Sequence, residues 1–483
     1  MTTQAGLIKN LELSIGKIVD ESWTEPMGPT PMPSLTTLRD WDMKLLNKYK
    51  PFYMPDCDLC CLCTFGKCDL TAGKRGACGL DIAAQSSRIV LLACSIGAAT
   101  HTAHARHLVE HLIEKYGRRY PLDVGGLNVK VEAPVTRLVT GIKPETLGDL
   151  ADVLDYCETQ ITHCLSAAHT GQEGNNIDFE SKAFHAGRID QVGMEIADIA
   201  QISAYDFPKA DPEAPLIEMG VGTVDTSKPV IMCIGHNVVP SVEIIDYMKD
   251  SKLEGKLEVV GLCCTAFDNT RYYNRAKIVG PISWQLRFIR SGFADVVVLD
   301  EQCIRTDAYL EAERVKAPVI AASEKNCLGF KNRTNDPADE IVADLVNGKV
   351  PGVLILDPEK VGEVAVKVAM KIAPLRRKYQ NLPSVEEIVA LAKTCRQCNM
   401  CQRSCPQDLK IPAALKAAAE GNLTLLTELY EYCVGCGRCE EACPIKLQIH
   451  SFIVKAGERC MLEEKNYCRA GRGAVQDIEI RNV

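Results

Sequence analysis

The chain has 483 residues, 46% of them hydrophobic and 24% charged, and a formal net charge of −8. That length suits roughly three globular domains of about 100–200 residues, and the acidic balance leaves no basic stripe to displace phosphate counterions, so no nucleic-acid partner is expected. No continuous apolar run approaches the roughly 20 residues of a bilayer span, and MTTQAGLIKNLELSIGK lacks the basic-then-apolar order of a signal peptide, so the expectation is a cytoplasmic protein without membrane contact.

Twenty-four cysteines in a long chain without an export signal read as metal or redox chemistry, not as a disulfide framework. Fourteen of them fall in two stretches, Cys57 to Cys78 and Cys395 to Cys443, which scattered structural thiols would not do.

In chain order, residues 1–82 comprise an arm and a cysteine segment. The arm has a proline-rich EPMGPTPMP and an amphipathic LTTLRDWDMKLLNKY, and shows no legible chemistry. The segment CDLCCLCTFGKC…GACG places six thiols within 22 residues, at Cys57, Cys60, Cys61, Cys63, Cys68 and Cys78. One cubane needs four, so two centres are easier to build than one, and inert thiols at this density would invite oxidation.

Residues 83–228 have helical periodicity, as in ETLGDLADVLDYCETQITHCLSAAH, and form a helical domain. Within it, SIGAATHTAHARHLVEHL carries His101, His104, His107 and His111, four of nine histidines. At helical pitch they occupy one face within an arc of about 120° and extend about 15 Å. Such a row can pass protons, because imidazole titrates near neutrality and exchanges its two nitrogens; it can equally be a partly buried polar face.

Residues 229–380 alternate short apolar runs with helical segments, the pattern of a Rossmann-like, doubly wound parallel sheet. His236 follows the first strand, Cys263 and Cys264 the second and Cys303 the third; groups beyond the carboxyl ends of parallel strands converge on one crevice. Cys327 follows the fourth strand without a motif, and Cys94, Cys157, Cys164, Cys233, Cys460 and Cys468 read as packing residues.

Residues 381–483 form a ferredoxin-like domain. CRQCNMCQRSCP (395–406) and CVGCGRCEEACP (433–444) each fit C-x2-C-x2-C-x3-C-P, the bacterial two-cluster pattern in which the fourth cysteine of each motif serves the other cubane. Cys395, Cys398, Cys401 and Cys443 therefore hold one 4Fe-4S cluster, and Cys433, Cys436, Cys439 and Cys405 the other. Zinc would also use C-x2-C pairs, but the third cysteine and the proline, both repeated, favour cubanes. GAVQDIEIRNV at the end reads as the start of a further strand.

The segment C-x2-CC-x-C-x4-C…GxCG resembles that of the nickel-containing carbon monoxide dehydrogenases, most closely the alpha subunit of the archaeal acetyl-CoA decarbonylase/synthase complex, and the resemblance runs over nearly the whole chain. It implies that Cys60, Cys63, Cys68 and Cys78 bind a 4Fe-4S cluster within the subunit, while Cys57 and Cys61 share one with a second copy across a twofold axis. The G-H-N and GxCC turns imply that His236, Cys264 and Cys303 are part of the ligand set of a Ni-Fe-S active cluster. The histidine row is similar to a ladder leading from that site, with His101 at its inner end. The implied reaction is CO + H2O ⇌ CO2 + 2 H+ + 2 e−, with electrons leaving through the 4Fe-4S clusters to ferredoxin and other subunits of the complex as partners. Full-length relatives of this kind continue into another α/β domain, whereas this chain ends at Val483, so the expectation is either that another chain completes the active cluster or that this chain is a fragment. The alternatives are an electron-transfer subunit without an active cluster and a hybrid-cluster hydroxylamine reductase.

Overall fold

The computed structural model describes residues 57–63, 66–122, 133–168, 176–208 and 216–469; the expected arm and the expected final strand lie outside them. The described chain opens with a two-stranded antiparallel ribbon, β1 (Leu59–Cys60) and β2 (Cys68–Asp69), which sets Cys60 opposite Cys68.

A helical layer follows: α1 (Ile82–Tyr116), α2 (Pro134–Thr140), α3 (Leu147–Ala168) and α4 (Asn176–Tyr205). Asp81 caps α1 by accepting from the Ala84 amide at 3.0 Å, and the helix stops at Gly117, whose φ of +84° a side chain would strain. Its buried face, with Ala98, Ala105, Leu108, Val109 and Leu112, packs on Leu150 and Leu154 of α3 and on Ile189, Val192 and Ile196 of α4. Small residues let α1 and α4 approach closely: a Cβ on Gly193 would lie 3.1 Å from the Thr102 amide.

By length and composition α1 is apolar enough to cross a membrane. Its alanines, threonines and glycine keep a long window free of charge even though no continuous apolar run stands out. The same uncharged small residues that pass that test form the close contacts with α3 and α4.

The second layer is built around a sheet: β3 (Leu216–Met219), β4 (Val230–Ile234), α5 (Val239–Asp250), β5 (Glu258–Leu262), α6 (Cys263–Tyr272), β6 (Lys277–Gly280), α7 (Gln285–Ser291), β7 (Val296–Leu299), α8 (Ala308–Arg314), β8 (Val319–Ala321), α9 (Ala338–Val346), β9 (Gly352–Leu354) and α10 (Pro358–Ile372). The cysteine-rich region then runs through α11 (Val385–Ala392), α12 (Met400–Arg403), α13 (Ile411–Ala419), α14 (Thr424–Tyr432), α15 (Arg438–Ala442), α16 (Ile449–Ala456) and α17 (Glu458–Glu463) before β10 (Asn466–Arg469).

The sheet order is β10-β3-β6-β5-β4-β7-β8-β9, parallel except for β10 against β3. It therefore begins before residue 229, at β3, and ends in a strand after the cysteine motifs. The pairing of β3 with β10 joins the two ends of this region, a non-local contact that local periodicity does not reveal.

Every residue of β4 is buried because helices cover both faces. Val230, Met232 and Ile234 face a core shared with Phe288 and Ile289 of α7, Leu415 of α13 and Phe452 of α16. Ile231 and Cys233 face Ile244 and Ile245 of α5, Ile341 of α9 and Val364 and Val368 of α10. Each such large side chain contributes about 1.5–3 kcal/mol by leaving water. Cys401, Cys433, Cys439 and Cys443 of the cysteine motifs are thus packed into the sheet's own core.

Candidate functional site

The chain order of the strands reverses between β4 and β7, and parallel sheets bind ligands beyond the carboxyl ends at such a point. His236 lies two residues past β4, Cys263 and Cys264 open α6 directly after β5, and Cys303 lies four residues past β7. One carboxylate ties these ends together. Asp300 Oδ1 accepts from the His236 amide at 2.6 Å, the Asn237 amide at 3.1 Å and the Glu301 amide, and its Oδ2 accepts from Thr265 Oγ1 at 2.8 Å. Burial pushes its carboxyl up to about 8 against those hydrogen bonds. The turn needs Gly235, at φ +144°, because a Cβ there would collide with the Asp300 carboxylate.

The cysteine turns are locally strained. Cys263 has φ +65°, and the consecutive Gln302 and Cys303 have +62° and +57°, a conformation that costs about 1–3 kcal/mol per residue and persists only where the surroundings over-determine it. Here Gln285 Nε2 donates to the Cys303 carbonyl at 3.0 Å, and Gln302 Nε2 donates to the Thr100 carbonyl at 2.8 Å, one residue before His101. Cys263 Sγ lies 3.8 Å from Cys264 Sγ. That hydrogen bond, with a smaller contribution from Cys303, pulls the Cys263 thiol down to about 6 against burial. Cys303 and Cys327 are exposed.

The histidine row faces this crevice. The His236 ring sits 4.6 Å from that of His104 and 5.4 Å from that of His101. Burial and then these two rings push His236 down to about 3, so its imidazole is neutral and free to ligate. His101 Nδ1 is 2.5 Å from Asp190 Oδ1 on α4. His104 Nδ1 approaches Glu301 Oε1 at 3.7 Å, and His107 bridges Glu301 Oε2 at 3.2 Å and Glu324 Oε1 at 3.0 Å. Lys325 Nζ donates to Glu301 Oε2 at 2.7 Å. Burial opposes ionisation of Glu301, yet His104, His107 and Lys325 together hold its carboxyl well below the usual range. The row ends at His111, 3.3 Å from Glu243 Oε1, which also accepts from Lys115 at 3.2 Å.

The ferredoxin-type cysteines separate into the two expected sets. Cys395, Cys398, Cys401 and Cys443 line one cavity, and Cys405, Cys433, Cys436 and Cys439 line another. Among the described residues no group of three or more His, Cys, Asp or Glu closes on a single ion; four thiols around a cavity suit a body larger than one atom. In the first segment, Cys60 and Cys57 are buried, Cys63, Cys68 and Cys78 partly so, and Cys61 exposed. Arg88, itself buried, donates to Cys60 Sγ at 3.0 Å, and the Ala77 amide donates to Cys68 Sγ at 3.4 Å. Donors aimed at sulfur suit anionic thiolates. Cys157, Cys164 and Cys233 are buried in apolar cores, Cys94 and Cys460 are partly buried, and the Cys468 side chain lies outside the described residues.

Sequence reasoning missed Asp190, Glu243, Asp300, Glu301 and Lys325. The signal for two of them was present: an Asp-Glu pair directly after the apolar VVVL has no place in a strand core unless it serves a strand-end site.

Similarity to known proteins agrees with this layout. The family model described as "Prismane/CO dehydrogenase family" matches residues 58–123 and 127–410, and that for a "4Fe-4S dicluster domain" matches 394–447. The acetyl-CoA decarbonylase/synthase complex subunit alpha of Methanothermobacter thermautotrophicus is 57% identical over 480 residues, covering 98% of this chain and 61% of the relative. Its counterpart in Methanocaldococcus jannaschii is 56% identical over 476 residues, with coverage of 98% and 61%. The chain thus spans about three-fifths of the length of these relatives. Among solved structures, alpha subunits of acetyl-CoA synthase/carbon monoxide dehydrogenase with NiZn[Fe4S4] and NiNi[Fe4S4] clusters align at TM-score 0.54 and 16% identity, over 89% of this chain and 74% of that one. A nickel-free carbon monoxide dehydrogenase from Thermococcus sp. AM4 aligns at TM-score 0.51 and 18% identity, over 87% and 79%. At such identities the likeness concerns the fold.

Proposed function

The chain belongs to the prismane/CO dehydrogenase family, and from that premise we propose that it serves the reversible reaction CO + H2O ⇌ CO2 + 2 H+ + 2 e− as the alpha-type component of an acetyl-CoA decarbonylase/synthase complex. The observation that carries this reading is the position of His236, Cys264 and Cys303 just past the carboxyl ends of three neighbouring strands, with the rings of His101 and His104 against that of His236. The strand order around β4, with β5 and β6 to one side and β7, β8 and β9 to the other, supports a Rossmann-like description of the sheet.

In this reading His236, Cys264 and Cys303 supply part of the ligand set of a Ni-Fe-S cluster. The remaining ligands would come from another chain. When bound, the cluster supplies the site at which carbon monoxide and water react and two electrons are released. Residues of this chain do the rest. Asp300 fixes the His236 turn, and burial keeps the His236 ring neutral. Asp190 orients His101 by accepting a hydrogen bond from its Nδ1–H, which leaves Nε2 free. The row from His104 to His111, held by Glu301 and Glu243, moves protons away over about 10 Å.

Cys60, Cys63, Cys68 and Cys78 would hold a 4Fe-4S cluster within the subunit, and Cys57 and Cys61 half of one shared with a second copy. The two ferredoxin-type sets would pass electrons to ferredoxin. The test is CO-dependent reduction of a low-potential dye by the intact assembly, compared with the His101→Ala variant. Turnover should fall far more than metal content; equal losses would make the histidine row a structural face.

A further inference from the structure

The two cysteine motifs are a repeat shifted by 38 residues, from Cys395 to Cys433, and the cavities follow it. Leu415, Leu447 and Ile449 around the first correspond to Ile453, Leu409 and Ile411 around the second. Two of the positions at which the repeat breaks lie against each other in the second copy: Pro412 is replaced by His450, and Gln397 by Gly435. Gly435 has φ +68°, and a Cβ there would lie 2.8 Å from His450 Nε2, so the glycine makes room for the imidazole. His450 is 1% exposed, lines the second cavity, and neither of its ring nitrogens has a hydrogen-bond partner among the described residues.

A buried imidazole with both nitrogens unsatisfied loses hydrogen bonding it had in water, about 1–3 kcal/mol for each such group, unless something in the cavity accepts its proton. Behind the same loop, Arg287 is buried between the rings of Trp284 and Tyr430, at 3.6 and 3.9 Å. It donates to the Tyr430 carbonyl, while its Nε and Nη2 are unpartnered. No carboxylate among the described residues forms an ion pair with it, whereas neighbouring Arg290 is paired with Glu311 and Glu440. The first cavity is lined by the exposed Arg396, Gln397 and Asn399, with Gln397 Nε2 3.5 Å from Cys395 Sγ, and by no buried imidazole or guanidinium.

Four thiolates and a cubane carry net negative charge that grows by one on reduction, so a nearby N–H donor and a buried cation favour the reduced form. We propose that His450 donates a ring N–H to sulfur of the cluster held by Cys405, Cys433, Cys436 and Cys439 and, with the Arg287 cation behind the same loop, raises that cluster's reduction potential. The inference rests on the reading that this set holds a 4Fe-4S cluster. Pro412, which has no N–H, gives the twin cluster nothing equivalent. The pair of clusters is therefore unequal by construction, and the second is the better resting place for an electron.

The test is an anaerobic, EPR-monitored redox titration of the full chain as wild type, His450→Leu and His450→Gln, with Cys439→Ser used to assign the second cluster's signal. His450→Leu should move that cluster's midpoint to a more negative potential and leave the other where it was, while His450→Gln, which keeps an N–H, should stay close to wild type. Two clusters with unchanged midpoints in His450→Leu, or equal shifts of both, would overturn the proposal. Should His450→Leu fail to retain the second cluster, pulsed EPR of reduced wild-type chain labelled with 15N-histidine decides instead: a weak imidazole coupling to the second cluster supports the bond, and its absence overturns it. A wild-type chain with one ferredoxin-type cluster would overturn the cofactor reading itself and this inference with it.

Discussion

Asp300 accepts the backbone amide of His236 at 2.6 Å, and through this bond the end of β7 fixes the turn that follows β4. The same carboxylate holds Thr265, next to Cys264, so one buried side chain sets the relative positions of three strand ends. Asp300→Ala removes both acceptor oxygens and leaves the His236, Asn237 and Glu301 amides without this partner. Supporting groups of this kind typically change metal affinity or activity by about 10–100-fold. The expected outcome is a loss of that order in CO oxidation, with both ferredoxin-type EPR signals retained. Loss of those signals as well would mean that Asp300 serves the whole fold.

Asp190 and His101 make the second functional pair. Asp190→Asn should reduce turnover within the roughly 10²–10⁴-fold range that general acid–base groups contribute, while iron and nickel contents stay near wild type. Steady-state CO oxidation alongside metal analysis of the same sample separates the two quantities.

The assignment of the crossing cysteines is checked by substitution. Cys443→Ser should perturb the cluster of Cys395, Cys398 and Cys401 and spare the cluster of Cys433, Cys436 and Cys439; Cys405→Ser should do the reverse. Mössbauer spectroscopy of 57Fe-labelled protein would register the loss or conversion of one cubane of two in each variant.

Gly193 tests how the helical layer positions the row. A Cβ there meets the Thr102 amide at 3.1 Å and the His101 carbonyl carbon at 3.3 Å. Gly193→Val should force α4 away from α1, at a cost of about 1–3 kcal/mol, and separate Asp190 from His101. Thermal unfolding should show reduced stability, and turnover should fall with it; a stable variant with full activity would place the helices' contact elsewhere.

Much of this layout is legible from residues alone because its signals are local. The two C-x2-C-x2-C-x3-C-P motifs specify their cysteine sets by spacing, and the cavities at Cys395 and Cys433 divide along the same lines. The histidine row follows from helical pitch, and the strand-end residues from the alternation of apolar runs with helical segments. What local pattern does not carry is the partner across space. Asp190 is 89 residues from His101, and nothing in the sequence around it distinguishes it from other helical acids. β10 pairs with β3 across more than half the chain. The Pro412–His450 break in the repeat was visible in the sequence, but its meaning needed the cavity beside it.

The most direct test of the catalytic reading is metal analysis with native mass spectrometry on the assembly containing this chain, purified without oxygen. The account predicts about one nickel per copy, lost together with CO-oxidation activity when His236 is replaced by alanine. Iron in full amount with no nickel would contradict it and leave an electron-transfer protein.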